Sequence, residues 1–259
     1  MLRHPIKSAV LSAVLMLHSI AWAAHPLITD DTGTQGQGKF QIEVSGQYDS
    51  NKETVGGVST ESTGSQVATT LSYGFTENMD IVLGIPYQWG KGKEDGMTVY
   101  DEKGIADMTV DLKWRFFEKD GLSLAFKPGV RIPTGNDEKG LGAGRTGYQA
   151  FLIGSLDAAP WTFHTNVGYI GNENKTDKEK SIWHASLAAT CEIVKDLRLV
   201  GNIGIERNRD KAASQNPAFL LGGLIYSVSE NFDIDVGAKY GLNAAEIDWS
   251  LMAGMAFRF

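Results

Sequence analysis

His164 and Asn166 stand two residues apart, and so do His184 and Ser186. A serine, a histidine and an amide are the groups a hydrolase uses as nucleophile, general base and orienting partner. Gly142-x-Gly144-x-x-Gly147 has the letters of a dinucleotide-binding turn. The charged residues Asp107, Asp111, Lys113, Arg115, Lys127, Arg131, Glu206, Asp233, Asp235, Lys239 and Arg258 are set apart at strand-like spacings. Five histidines are scattered, two of them (His4 and His18) near the start, and no metal-ligand spacing emerges. No motif calls for a cofactor.

What these residues can do depends on the elements that carry them. Apolar and polar residues alternate with period two in a long series of segments, the signature of strands with unlike faces. The segments lie near Lys39–Asp49, Ser65–Phe75, Met79–Trp89, Ile105–Phe117, Leu122–Pro133 and Gly147–Asp157. They continue near Trp161–Ile170, Ile182–Ile193, Leu197–Glu206, Ala218–Val228, Phe232–Tyr240 and Asp248–Phe259. Their ~9–11 residues match a tilted strand crossing a bilayer. Lipid admits only helices and closed barrels, because backbone groups must pair internally. The expectation is an all-β, transmembrane, antiparallel up-and-down barrel of about twelve strands over residues 39–259.

The connections alternate in length. Short turns fall at Thr76–Asn78, Glu118–Gly121, Ala158–Pro160, Val194–Asp196 and Ser229–Asn231. Longer polar loops are expected at Ser50–Gly64, Gly90–Gly104, Thr134–Thr146, Gly171–Ser181, Arg207–Pro217 and Gly241–Glu246. Short periplasmic turns and long external loops are the outer-membrane pattern, and an even strand count places both termini in the periplasm. Aromatics gather near strand ends, as interfacial girdles do. Outer-membrane lipids are then the partner of the apolar faces.

Strand parity sends the charged set, with His164 and His184, to the lumen. Gln41, Glu43, Ser45 and Gln47 of the first strand join them. Two readings stand: a polar pathway whose Lys113, Arg115, Lys127 and Arg131 select solutes, and a salt-bridged interior holding a narrow barrel together. Parity also turns the histidine, serine and asparagine away from lipid, which disfavours a lipid hydrolase. The glycine motif sits in a loop ahead of a strand instead of a helix, so it lacks the dinucleotide context. Cys191, the single cysteine, excludes an intrachain disulfide and is placed on the outer face with Leu187 and Ile193.

The chain's ends extend this picture. Arg3 and Lys7 precede an apolar stretch from Ala9 to Ala21, and Ala21-Trp22-Ala23 forms a cleavage site, so residues 1–23 read as a signal peptide. Residues 24–38 are too polar and glycine-rich for a strand. They are expected either to hang in the periplasm or to plug the lumen, where Asp30 and Asp31 could meet Arg258 or Lys239. A net charge of −7 argues against nucleic-acid binding.

His25-Pro-Leu-Ile-Thr-Asp-Asp-Thr-Gly-Thr-Gln-Gly36 with Gly38-Lys39-Phe40-Gln41-Ile42-Glu43 resembles the family called MetA-pathway of phenol degradation. Gly104-Ile-Ala-Asp107 with Leu112-Lys113-Trp114-Arg115-Phe116 is similar to its fourth-strand pattern, and Pro133-Thr134-Gly135 with Leu141-Gly142-Ala143-Gly144 to the loop that follows. The resemblance implies an outer-membrane transporter, with aromatic or other small apolar solutes as its cargo. The ending on Phe259 likewise resembles the strand that the barrel assembly machinery reads. The expected activity is passive passage of a small-molecule solute. The alternatives are a non-conducting barrel acting through its outer loops and, third, a lipid-modifying enzyme.

Overall fold

The computed structural model describes residues 25–55 and 57–259. The expected signal peptide lies outside the described residues. The described chain forms one antiparallel sheet closed on itself: β1 (Phe40–Val55), β2 (Val58–Thr76), β3 (Met79–Glu94), β4 (Met97–Ile105), β5 (Met108–Lys119), β6 (Leu122–Ile132) and β7 (Gly147–Ala158), then β8 (Trp161–Gly171), β9 (Ser181–Val194), β10 (Leu197–Glu206), β11 (Ala218–Ser229), β12 (Phe232–Gly241) and β13 (Trp249–Arg258). β3 pairs with β4 over its second half and with β5 over its first. β4 and β5 are therefore one stave broken at Ala106-Asp107, and the barrel has twelve staves. Closure joins β1 to β13, from Gln41↔Arg258 to Ser50↔Trp249. Phe40 N donates to Phe259 O at 2.8 Å and Phe259 N to Phe40 O at 3.0 Å, so the terminal residue seals the seam.

Alternation decides which side chain meets which solvent. Ile81, Trp114, Leu152, Val167, Leu187, Leu224 and Val236 are exposed on the outer face. An apolar surface this continuous is stable only against lipid. Rings gather at both ends of it. Phe40 stacks between Tyr73 and Phe259 (4.6 and 5.7 Å), and Trp161 on Phe163 (6.2 Å), at the end carrying the short turns. Tyr48–Trp249 and Tyr87–Trp89 (5.6 and 6.1 Å) sit toward the end carrying the long connections. Cys191 keeps its place on the outer row, opposite Trp161 and Leu199, and these neighbours cover it.

Two of the expected loops are strands. Ser50–Gly64 and Gly90–Gly104 continue the ladders of β1–β2 and β3–β4 as far as the pairs Val55↔Val58 and Glu94↔Met97. Beyond the bilayer both strand faces meet water, so the apolar half of the alternation disappears while hydrogen bonding goes on. Asp95-Gly96 carries the turn between β3 and β4, with φ of 46° and 81°, the backbone that Asp-Gly favours in a two-residue hairpin. The expected fourth strand, Ile105–Phe117, is correspondingly split at Ala106.

The loop of residues 133–146 folds back onto that split. Thr134 Oγ1 donates to Ala106 O at 2.8 Å. Asp107 accepts from Gly135 N at 3.0 Å and Ala143 N at 2.8 Å, one carboxylate oxygen each. Leu141 is buried beside Gly104. A Cβ on Gly142 would overlap Asp107 Oδ1, so glycine is required there by space. The motif residues around Gly104–Asp107 and Pro133–Gly144 thus form one latch. Asp107→Ala removes the acceptor of two backbone N–H groups, a loss of about 1.5–3 kcal/mol for bonds to a charged group. Tryptic cleavage at Lys139 and Arg145 is expected to quicken at least roughly tenfold, since 1.4 kcal/mol is one decade; an unchanged rate would refute the latch.

Candidate functional site

Residues 25–38 enter the lumen and cross it at mid-height before turning out to β1. Their path begins at His25, whose Nδ1 is paired with Asp235 of β12. Pro26 packs over Gly223 and Gly237, where any side chain would collide with it. Leu27 and Ile28 join Val200, Phe219, Leu221, Ile225 and Met252 in an apolar cluster inside the barrel. Asn202, at the middle of β10, accepts from Ile28 N (2.7 Å) and Thr29 N (3.0 Å) and donates to Thr29 Oγ1 (2.6 Å). Asn166 of β8, with its amide oriented to suit its neighbours, bonds both backbone groups of Asp30 at 2.7 and 2.9 Å.

Asp30 is the centre of this arrangement and is fully buried. Its two oxygens take Lys113 of β5 at 2.9 Å and Lys127 of β6 at 2.8 Å. Lys113 also reaches Asp31 at 3.3 Å. Lys127 is 1 % exposed. Ammonium groups this deep persist only with a carboxylate opposite. Further along, Thr32 N donates to Ser155 Oγ (3.1 Å), Gln35 N to Asp80 (3.0 Å), and Gly38 N to Gly74 O (2.7 Å). Gly36 lies so close over Gly74 that no side chain fits at Gly74.

Asp30 and Asp31 were expected to meet Arg258 or Lys239; those two have other partners. Arg258 bonds Asp233 (2.9 Å) and Gln41 (2.9 Å), and Arg198 shares Asp233 at 3.2 Å. Lys239 pairs with Glu246 at 2.9 Å and sits over the Phe219 ring. The other lumen candidates are dispersed. Asp111 accepts from Gln149 at 2.6 Å beside the central group. Asp107 and Arg131 belong to the latch, 3.5 Å apart, with Arg131 also donating to Asn172 at 2.8 Å. Arg115 lies near the short turns, half-buried, paired with Glu118 at 3.2 Å.

The histidines form two polar relays. His164 meets Ser155 at 2.9 Å. His184 places Nε2 3.0 Å from Ser186 Oγ and Nδ1 3.5 Å from Glu206. That order of groups is the one a serine hydrolase uses. All three residues are buried, however, and the space beside His184 and Glu206 is about 10 Å³, less than an acyl substrate requires.

Below the crossing segment lies a cavity of about 480 Å³. Its floor is Asp30, Asp31, Lys113 and Lys127, its wall Glu43, Ser72, Asp80 and Val82, and its rim Lys39, Phe40, Asn231, Arg258 and Phe259 at the short-turn end. Parity alone identified the wall's Glu43; Asp80 was missed because it sits at the start of its strand, next to a turn. Also missed was an apolar inner patch of Ala125, Phe151, Ile153, Ile170 and Ile182, since an all-polar lumen was expected.

A family model described as "Putative MetA-pathway of phenol degradation" matches residues 29–259. The chain belongs to that family. As a member of the phenol-degradation family it carries the family's match through the crossing segment from Thr29 as well as the barrel. The fold is similar to that of an outer membrane channel from Pseudomonas putida F1, with a TM-score of 0.67 at 13% identity over 88% of this chain and 98% of that one. It is also similar to the translocator domain of autotransporter NalP from Neisseria meningitidis, with a TM-score of 0.57 at 14% identity over 88% and 91%. A KdgM porin gives a TM-score of 0.55 at 9% identity over 85% and 99%. At such identities the likeness is one of fold. A search of curated proteins finds no match to this family member.

Proposed function

We propose that this barrel is a passive channel of the bacterial outer membrane for small solutes, with both termini in the periplasm and residues 25–38 as its removable plug. The observation that carries the reading is the crossing segment itself. It is part of no strand, and polar contacts to eight separate staves hold it in the lumen, so it can leave without breaking the sheet. The short-turn end, by the usual outer-membrane arrangement, faces the periplasm. Phe259 then stands where assembly machinery meets a terminal strand. The polar cavity accommodates small hydrophilic molecules, and the inner patch around Phe151 and Ile153 offers aromatic solutes an apolar wall.

Liposome swelling with the full chain and with a variant lacking residues 25–36 tests this, using phenols, sugars and amino acids as solutes. Swelling graded by solute, and faster in the shortened variant, is expected. No solute-dependent swelling in either protein overturns the channel. It would favour the second reading, a non-conducting barrel that works through the long β1–β2 and β3–β4 hairpins projecting past the membrane.

A further inference from the structure

The cavity below the plug is lined by four carboxylates and four cations, Lys39 at the rim among them, yet two of the carboxylates are in no ion pair with any of these. Lys113 and Lys127 are engaged by Asp30 and Asp31. Arg258 is engaged by Asp233 and Gln41. Two acids of the wall remain, Glu43 and Asp80. Asp80 accepts from the backbone N–H of Gln35 and has no ion pair among the described residues. Glu43 is 8 % exposed, lines the cavity, and makes neither a hydrogen bond nor an ion pair with any described residue. A buried carboxylate without a partner is costly, and a cation brought beside it offsets that cost.

The backbone fixes how far apart the two acids stand. Glu43 faces Thr70 across the β1–β2 ladder, and Asp80 faces Gly74 across β2–β3. They are two staves apart and offset by four residues along β2, so their backbones stand roughly 16 Å apart at the usual strand spacing and rise. Ser72 lies between them on the same wall. At that separation the two acids are not ligands of one dehydrated metal ion, whose ligands lie about 2–2.6 Å from it.

We infer that this cavity is a binding site for small organic cations, whose ammonium group is received by Glu43. The ammonium carries three donors, and the ionised carboxylate of Glu43 only accepts. The inference deepens the channel reading by naming a solute class, and it rests on that reading for its use in transport. Binding itself is measurable without flux.

The test is calorimetric titration of the full chain in detergent micelles with benzylamine, benzyl alcohol and benzoate, which share a ring and differ in charge. Benzylamine is expected to bind, with the alcohol and benzoate at least tenfold weaker. Glu43→Gln, nearly isosteric, should weaken benzylamine at least tenfold while the folded-barrel mobility on gels persists. Equal binding of amine and alcohol by the unaltered chain overturns the inference, whether or not the variant folds. So does undiminished benzylamine binding by folded E43Q. Amine binding without liposome swelling keeps the site and removes the channel; swelling without amine preference keeps the channel and removes the site.

Discussion

Asp30→Asn is expected to unseat the plug. The carboxylate of Asp30 is the shared partner of Lys113 and Lys127, and with asparagine in its place Lys127 is buried with no ion pair. Removing one member of a buried ion pair costs about 3–5 kcal/mol, because the other is left charged and dehydrated. The strain is relieved if the segment leaves and water enters. The ratio of seated to unseated plug should therefore fall by about two to three and a half decades, at 1.4 kcal/mol per decade. The measurement is the maleimide-labelling rate of Leu27→Cys in a Cys191→Ser background, alongside channel conductance. Asp31→Asn is the control. Its side chain is 35% exposed and Lys113 keeps Asp30, so the change should stay below roughly tenfold. If D30N and D31N label alike, the buried pair does not hold the plug.

Asn202→Leu should have the second-largest effect, by a different route. The leucine keeps the volume but leaves Ile28 N and Thr29 N without their acceptor. Each buried, unsatisfied donor costs about 1–3 kcal/mol. The labelling rate of Leu27→Cys should rise by one decade or more. The double variant D30N/N202L is the sharper experiment. Both changes act on one segment, so once either has released it the other has nothing left to break. The combined effect should be less than the sum, the behaviour of sites that share one cooperative unit. Strict additivity would mean that the two anchors hold separate pieces of chain.

The barrel was legible because a bilayer imposes a rule on every strand. Outward residues such as Leu152 and Val236 must be apolar, and lumen residues such as Asp111 and Lys113 are free to be polar, so parity sorts them by type. Where the rule lapses, so does the signal. Past the membrane, Lys52 and Glu61 face water on both sides of a hairpin that looks like a loop in sequence, although Lys52 Nζ bonds Glu61 at 2.8 Å across it. The lumen's contents were harder still. Parity put Lys113, Lys127 and Asn202 inside, but which of them would meet Asp30 depends on the bore and the staggering of the staves, and neither is written in local spacing. Apolar Phe151 and Ile153 on an inner face break the polar expectation for the same reason: they pack against other lumen side chains, Ile170 and Ile182, and not against water.

The plug also carries a schedule. It precedes every strand in the chain, yet the partners of His25 through Asp30 lie 83 to 210 positions further on. No partner of His25 through Asp30 exists until β5 and β6 are in place, and the His25 anchor waits for β12. Contacts of such separation form late, since the intervening loop must first be closed. The earliest of the described residues therefore remain unsatisfied until the sheet is complete, and the seating of His25 against Asp235 marks a barrel in which β12 has taken its place.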